Sequence, residues 1–198
     1  MKIGPRTTYN GTPNNWEEAF VAKVNPAGTA LVYCGYIGGS TSDRGVGIAV
    51  DRLGNAYVTG ETTSAAPLFA LIGPDTSANG GPDAFIAKVR ADGTGLMYAG
   101  YIGGNSSDYG YDVAVDGTNS AYVVGRTFSY ETSFPDGDGF GTLPGPDRTY
   151  AGSSDAFVVK IKPDGTGLVY VGYIGGSAVE IGNGIAVDEL GNAYLTGE

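Results

Sequence analysis

Histidine is absent from the 198 residues. That removes the commonest general base and the commonest transition-metal ligand. Ser-His-Asp and Cys-His catalysis go with it. One cysteine, Cys34, allows no internal disulfide, and it aligns in the repeat described below with Ala99 and Val171, the place of a small buried apolar residue. Basic residues are few and scattered: 11 Lys and Arg stand against 21 Asp and Glu, for a net charge of −10. Phosphate backbones need clustered cations, so nucleic acid is excluded as a partner. No stretch approaches the roughly 20 apolar residues of a membrane span. Met1–Pro5 lacks the apolar centre of a signal peptide, which leaves a cytosolic chain or a mature form without its signal. Neither G-x-x-x-x-G-K-[ST] nor G-x-G-x-x-G occurs.

What the chain has in quantity is glycine, 35 residues, alongside 10 prolines. Such a composition approaches that of disordered chains. Here, however, the glycines hold fixed places between runs rich in Val, Ile and Tyr, and no apolar pattern of helical period appears, so the chain reads as all-β. One unit occurs three times, at 19–60, 84–125 and 155–197, joined by long loops 61–83 and 126–154 and preceded by a lead-in 1–18. Ala84 follows Ala19 by 65 residues and Ala156 follows Ala84 by 72. A period this long marks a repeat architecture.

Each copy predicts four short strands. In the first copy they are 19–24, 31–37, 47–50 and 56–59. Pro-Asp-Gly turns of the type Pro163-Asp164-Gly165 separate the first pair, and a Gly-Gly pair (Gly38-Gly39, Gly103-Gly104, Gly175-Gly176) followed by a polar loop ends the second strand. Where copies one and three carry Gly54 and Gly191, copy two carries Asn119, the residue that best tolerates positive φ after Gly. The strands are apolar on both faces, which suits sheets stacked face to face around an axis, as in a propeller; a β-solenoid is the runner-up. Thr8-Tyr9-Asn10-Gly11 echoes Thr149-Tyr150-Ala151-Gly152, so the lead-in imitates the end of an inter-copy loop. Two glycosylation sequons, at Asn10 and Asn105, are matches that a Ser- and Thr-rich chain produces by chance.

The strings DAFVVK, DGTGLVY, GYIGG, GIAVD and AYLTG, with their counterparts in the other copies, resemble the SBBP repeat, a β-propeller repeat family. The resemblance implies a β-propeller-like fold of three four-stranded repeats, with GIAVD innermost, AYLTG next, DAFVVK third and LVYVGYIGG outermost. It implies surface or secreted proteins and carries no catalytic motif. Read in that order, the chain opens with the two outer strands of one blade and closes with the two inner strands of another, so the terminal blade is split between its ends. Three blades are too few for a comfortable ring, since closed propellers have four to eight. Either the chain is a piece of a longer protein, or its ends pair within one chain, or they pair between copies to give a ring, tube or filament.

Several residues are candidates for a site. Asp136 and Asp138, with Gly141 and Asp147 at the sixth and twelfth places, have the spacing of a calcium loop, although Phe140 stands where Asp or Asn belongs. Asp43, Asp108 and Glu180 recur in the polar loops and are read as caps or solvated acids rather than catalytic carboxylates. Lys23, Lys88 and Lys160 recur in an apolar strand, where a lysine needs a partner, either a carboxylate or backbone carbonyls; Asp51, Asp116 and Asp188 recur as regularly. Tyr36, Tyr101 and Tyr173, with Tyr57, Tyr122 and Tyr194, are expected to pack rather than to stack on sugars. The expected function is that of a non-enzymatic, self-associating structural subunit, extracellular or at the cell surface, steadied by calcium. The alternatives are a carbohydrate- or protein-binding module and, behind it, a polysaccharide hydrolase or lyase.

Overall fold

A computed structural model describes residues 4–9, 17–65 and 72–198. The Asn10 sequon, the end of the Thr8–Gly11 echo and part of loop 61–83 lie outside them. Twelve strands and no helix are found among the described residues: β1 (Ala19–Val24), β2 (Leu31–Ile37), β3 (Asp43–Val50), β4 (Ala56–Thr62), β5 (Asp83–Val89), β6 (Leu96–Ile102), β7 (Asp108–Val115), β8 (Ala121–Thr127), β9 (Asp155–Ile161), β10 (Leu168–Ile174), β11 (Gly182–Val187) and β12 (Ala193–Gly197). With no helix, none is long and apolar enough to cross a membrane.

All neighbours are antiparallel. Two sheets are four-stranded, ordered β3-β4-β5-β6 and β7-β8-β9-β10, and two are two-stranded, β1-β2 and β11-β12. Each four-stranded sheet therefore runs from the second half of one repeat copy into the first half of the next, in the strand order the repeat implied. The two pairs left over are its two halves. They do not pair with each other, so the ends do not close within one chain.

The first strands of successive sheets pack side by side in the order β3, β7, β11. Gly47 permits this, because a side chain there would begin 2.8 Å from the Asp112 Cα. On the other side Ile185 N–H donates to Asp112 Oδ2 at 2.9 Å. Apolar cores fill the spaces between facing sheets. One joins Val21, Tyr33 and Ile37 of the β1-β2 pair to Val58, Phe85 and Ala99 of the next sheet. The other joins Tyr57, Ile86 and Tyr98 to Val113, Val123 and Phe157 of the sheet after. Two-sided burial is complete in β5, and β4, β8 and β9 each keep one half-buried residue.

The third strand of each copy begins earlier than the sequence predicts, at Asp43, Asp108 and Gly182. A bulge interrupts the pairing between Gly45 and Gly47, between Gly110 and Asp112, and between Gly182 and Gly184. The extra residue breaks the alternation that marks a strand in sequence. Asn119 adopts φ 68°, the one positive φ outside glycine among the described residues. Cys34 is half-buried, whereas Ala99 and Val171 are buried, because its sheet has only two strands.

Candidate functional sites: recurring carboxylates and open sheet edges

The recurring lysines and aspartates meet. Lys88 Nζ lies 3.8 Å from Asp51 Oδ2 and Lys160 Nζ 3.2 Å from Asp116 Oδ2. Each ammonium also stands 4.7 Å from the ring centre of the tyrosine across the strand pair, Tyr57 or Tyr122. The tyrosine hydroxyls donate to the same carboxylates, at 3.2 and 2.9 Å. Burial pulls the Lys88 ammonium below its ordinary range, with Asp51 opposing. At Lys160 burial is outweighed by hydrogen bonding to Tyr122 and Asp116, and the group titrates above its ordinary range. Lys23 has the other kind of partner expected, a backbone carbonyl: its ammonium donates to Ala91 O at 3.1 Å. Asp188 keeps its tyrosine, Tyr194, at 3.1 Å and accepts from Asn192, but among the described residues no lysine is paired with it.

Asp43 and Asp108 are buried caps. Asp43 Oδ2 accepts from Gly39 N–H at 2.7 Å and Ser64 Oγ–H at 3.0 Å. Its Oδ1 accepts from Thr62 Oγ1–H at 2.5 Å. Asp108 repeats the arrangement with Gly104, Ser129 and Thr127. Burial raises both carboxyls above their ordinary range despite these bonds.

A second acid faces each of these positions from the neighbouring sheet. A side chain on Gly103 would begin 2.3 Å from Asp83 Oδ1 and 3.0 Å from Asp108 Oδ2. On Gly175 it would begin 2.9 Å from Glu180 Oε2 and 3.1 Å from Asp155 Oδ1. In the first copy the corresponding acids are Glu18 and Asp43, and there Arg6 forms an ion pair with Glu18 and is attracted to Asp43. Residues equivalent to Arg6 follow from the backbone. Arg6 O accepts from Tyr36 N–H at 2.8 Å, Asp75 O from Tyr101 N–H at 3.0 Å, and Asp147 O from Tyr173 N–H at 2.9 Å. Each follows a Gly-Pro whose glycine lies against the outer strand, at Gly35, Gly100 or Gly172. The lead-in thus does imitate an inter-copy loop, through Gly4-Pro5.

This equivalence separates the residues expected to hold calcium. Asp147 belongs with Arg6 and Asp75, and its Oδ1 accepts from Thr149 N–H at 2.9 Å. Asp136 pairs with Gly103 through the backbone, and Asp138 N–H contacts its Oδ1 at 3.3 Å. Phe140, at the place of a ligand, is buried against Tyr173 with ring centres 5.1 Å apart. Among the described residues no three His, Cys, Asp or Glu side chains gather closely enough to share a metal ion. Of the six tyrosines expected to pack, Tyr57, Tyr101, Tyr122 and Tyr173 are buried, whereas Tyr36 is half-buried and Tyr194 exposed, both on half-sheets. Tyr101 and Tyr173 hydroxyls donate to Ser64 O and Ser129 O.

The half-sheets differ from the complete sheets at equivalent places. Phe85 and Phe157 have no exposed surface, whereas Phe20 is 66% exposed. Tyr57 and Tyr122 are likewise enclosed, whereas Tyr194 is 60% exposed. Beside β11-β12 runs a groove lined by Pro146, Val158, Tyr170, Ile174, Ala193 and Leu195. In a complete sheet the third and fourth strands would fill it.

A search of the curated proteins finds no match to this chain. The family model described as "Beta-propeller repeat" matches it twice, over 33–68 and 169–198. Over those two stretches the chain carries the SBBP beta-propeller repeat.

Proposed function

We propose that this chain is a non-enzymatic structural repeat subunit that joins to further copies of itself head to tail, outside the cell or at its surface. The join completes one four-stranded sheet from β11-β12 of one copy and β1-β2 of the next. The observation that carries the reading is the exposure of Phe20 and Tyr194 at places that are fully enclosed in the complete sheets. Burying one such side chain contributes about 1.5–3 kcal/mol, and an unpaired strand edge is itself a template for pairing. The register follows from the complete sheets, where Ala56, Tyr57 and Val58 face Val89, Lys88 and Ala87. Ala193, Tyr194 and Leu195 would then face Val24, Lys23 and Ala22 of the next copy. Two copies joined at both ends hold six four-stranded sheets, inside the range of closed propellers; a rotation that does not close gives a tube or filament.

Cross-linking in register tests this. A chain carrying Ala22→Cys and Leu195→Cys, with Cys34→Ala to remove the native thiol, should form disulfides between chains under mild oxidation, because facing strand positions lie within disulfide reach. A control displaced by three residues should not. Equal cross-linking of both would mean random collision and would defeat the proposed register.

A further inference from the structure

We propose that the two junctions Asp83–Asp108 and Asp155–Glu180 each bind one hard divalent cation of the Ca²⁺ type. Three sheet-to-sheet junctions of the chain have an acid at equivalent places on either side, and at the second and third both acids flank the first glycine of a Gly-Gly pair. The first junction holds its own cation, the Arg6 guanidinium beside Glu18 and Asp43. At the other two the residue equivalent to Arg6 is a further acid, Asp75 or Asp147. The first junction thus sums to one net negative charge and the other two to three each. Buried acids need a cation, a proton or donors to be tolerated.

Donors meet only part of this need. Asp83 and Asp155 are each 1% exposed. Each uses one oxygen, accepting from Asn79 N–H at 2.8 Å and from Ala151 N–H at 2.9 Å. The other oxygen of each, Oδ1, is buried without a hydrogen-bond partner, and so is Glu180 Oε2. All three lie against Gly103 or Gly175, where the paired acids converge on bare backbone. Any larger residue at either glycine would crowd them.

The donor set is oxygen alone, which favours Ca²⁺ over metals that seek nitrogen or sulfur. Two carboxylates per site leave backbone carbonyls and water to complete the shell. That composition belongs with the weak sites of extracellular modules, with dissociation constants on the order of 10⁻⁴–10⁻³ M.

Terbium luminescence on the whole chain tests the proposal. Tyr101 and Tyr173 each precede a site glycine, Gly103 or Gly175, by two residues, about 7 Å along a strand, and serve as sensitisers of a bound lanthanide. Chain stripped with EDTA should gain emission that saturates at two Tb³⁺ per chain and is displaced by millimolar Ca²⁺. Asp83→Asn and Glu180→Gln should each halve the emission, and together abolish it. Arg6→Asp, which gives the first junction the charge of the others, should raise the count from two to three; this variant keeps the test decisive even if the double substitution fails to fold. Absent emission, or emission that the folded double variant retains, overturns the proposal. So does a stripped chain whose melting ignores Ca²⁺ while Asp83→Asn raises it, since the acids would then share a proton.

Discussion

The ring of Tyr98 lies against Gly165, the turn glycine of the following sheet: a side chain on Gly165 would begin 2.4 Å from the ring. Gly93 meets Tyr33 in the same way. Both glycines adopt positive φ, 78° and 76°, so the turn presents bare backbone to the tyrosine of the sheet before it. The series has a gap at each end. Gly28, with φ 70°, meets nothing within 4 Å, and Tyr170, equivalent to Tyr98, borders the open groove. In the proposed head-to-tail join, Gly28 of one copy would meet Tyr170 of the previous one.

Tyr170→Ala should therefore weaken self-association about 10–100-fold, the range of an interface aromatic. The isolated chain should stay folded. Sedimentation at several concentrations measures the first effect and circular dichroism the second. An unchanged association constant would remove Tyr170 from the interface.

Lys23 and Asp188 supply a charge test of the same join. Within the chain, Lys88 meets Asp51 and Lys160 meets Asp116 across paired strands. The corresponding pair at the proposed join would be Lys23 with Asp188 of the previous copy. Lys23→Glu should reduce association about tenfold, and Lys23→Glu with Asp188→Lys should recover most of it. Failure of the reversed pair to recover would show that Lys23 keeps its bond to Ala91 O in the assembly.

Inside the complete sheets the same pairs govern stability. Removing one partner of a buried ion pair costs about 3–5 kcal/mol. Lys88→Met should fall near the lower limit, about 3 kcal/mol, because Asp51 keeps its bonds from Leu53, Asn55 and Tyr57. Lys160→Met should cost less, since Lys160 is more exposed than Lys88. Urea unfolding measures both. A loss of under about 1 kcal/mol at Lys88 would put the pair at the level of a surface ion pair.

Asp116 sets an acid limit. Burial opposes its ionisation, but bonds from Thr118, Ser120, Tyr122 and Lys160 outweigh it and lower its carboxyl to about 2. The folded state thus binds this proton more weakly than the unfolded chain does. Its contribution is complete above the ordinary value of 3.8 and disappears as pH falls from there through about 2. Asp116→Asn should lower stability at neutral pH and flatten that acid limb. An acid limb as steep in the variant as in the parent would assign the loss to other carboxyls.

Much of this arrangement could be read from the repeat. The strands, the strand order, the split ends and the pairing of Lys88 with Asp51 follow from residues that recur at fixed places. What escaped reading depends on neighbours far apart in the chain. Asp83 and Asp108 face each other from two different sheets, which nothing in their spacing reveals. The echo of Thr8–Gly11 in Thr149–Gly152 already sets Arg6 opposite Asp147, although Gly4 stands four residues farther from Ala19 than Gly73 and Gly145 do from Ala84 and Ala156; what the alignment does not reveal is that this place lies beside the paired acids. The spacing of Asp136, Asp138 and Asp147 matched a calcium loop, yet the loop is organised by Phe134 and Phe140 packing on Phe157 and Tyr173. Asp147 is placed separately, by the contact of Gly145-Pro146 with the outer strand at Gly172.

The most direct measurement is particle mass in solution, by light scattering across a range of concentration, for the chain and for Phe20→Glu. The head-to-tail account expects particles of at least twice the 20.2 kDa chain mass for the parent, and a folded species of single-chain mass for Phe20→Glu. A parent that stays at 20.2 kDa at every concentration, or a Phe20→Glu chain that assembles equally well, would contradict it.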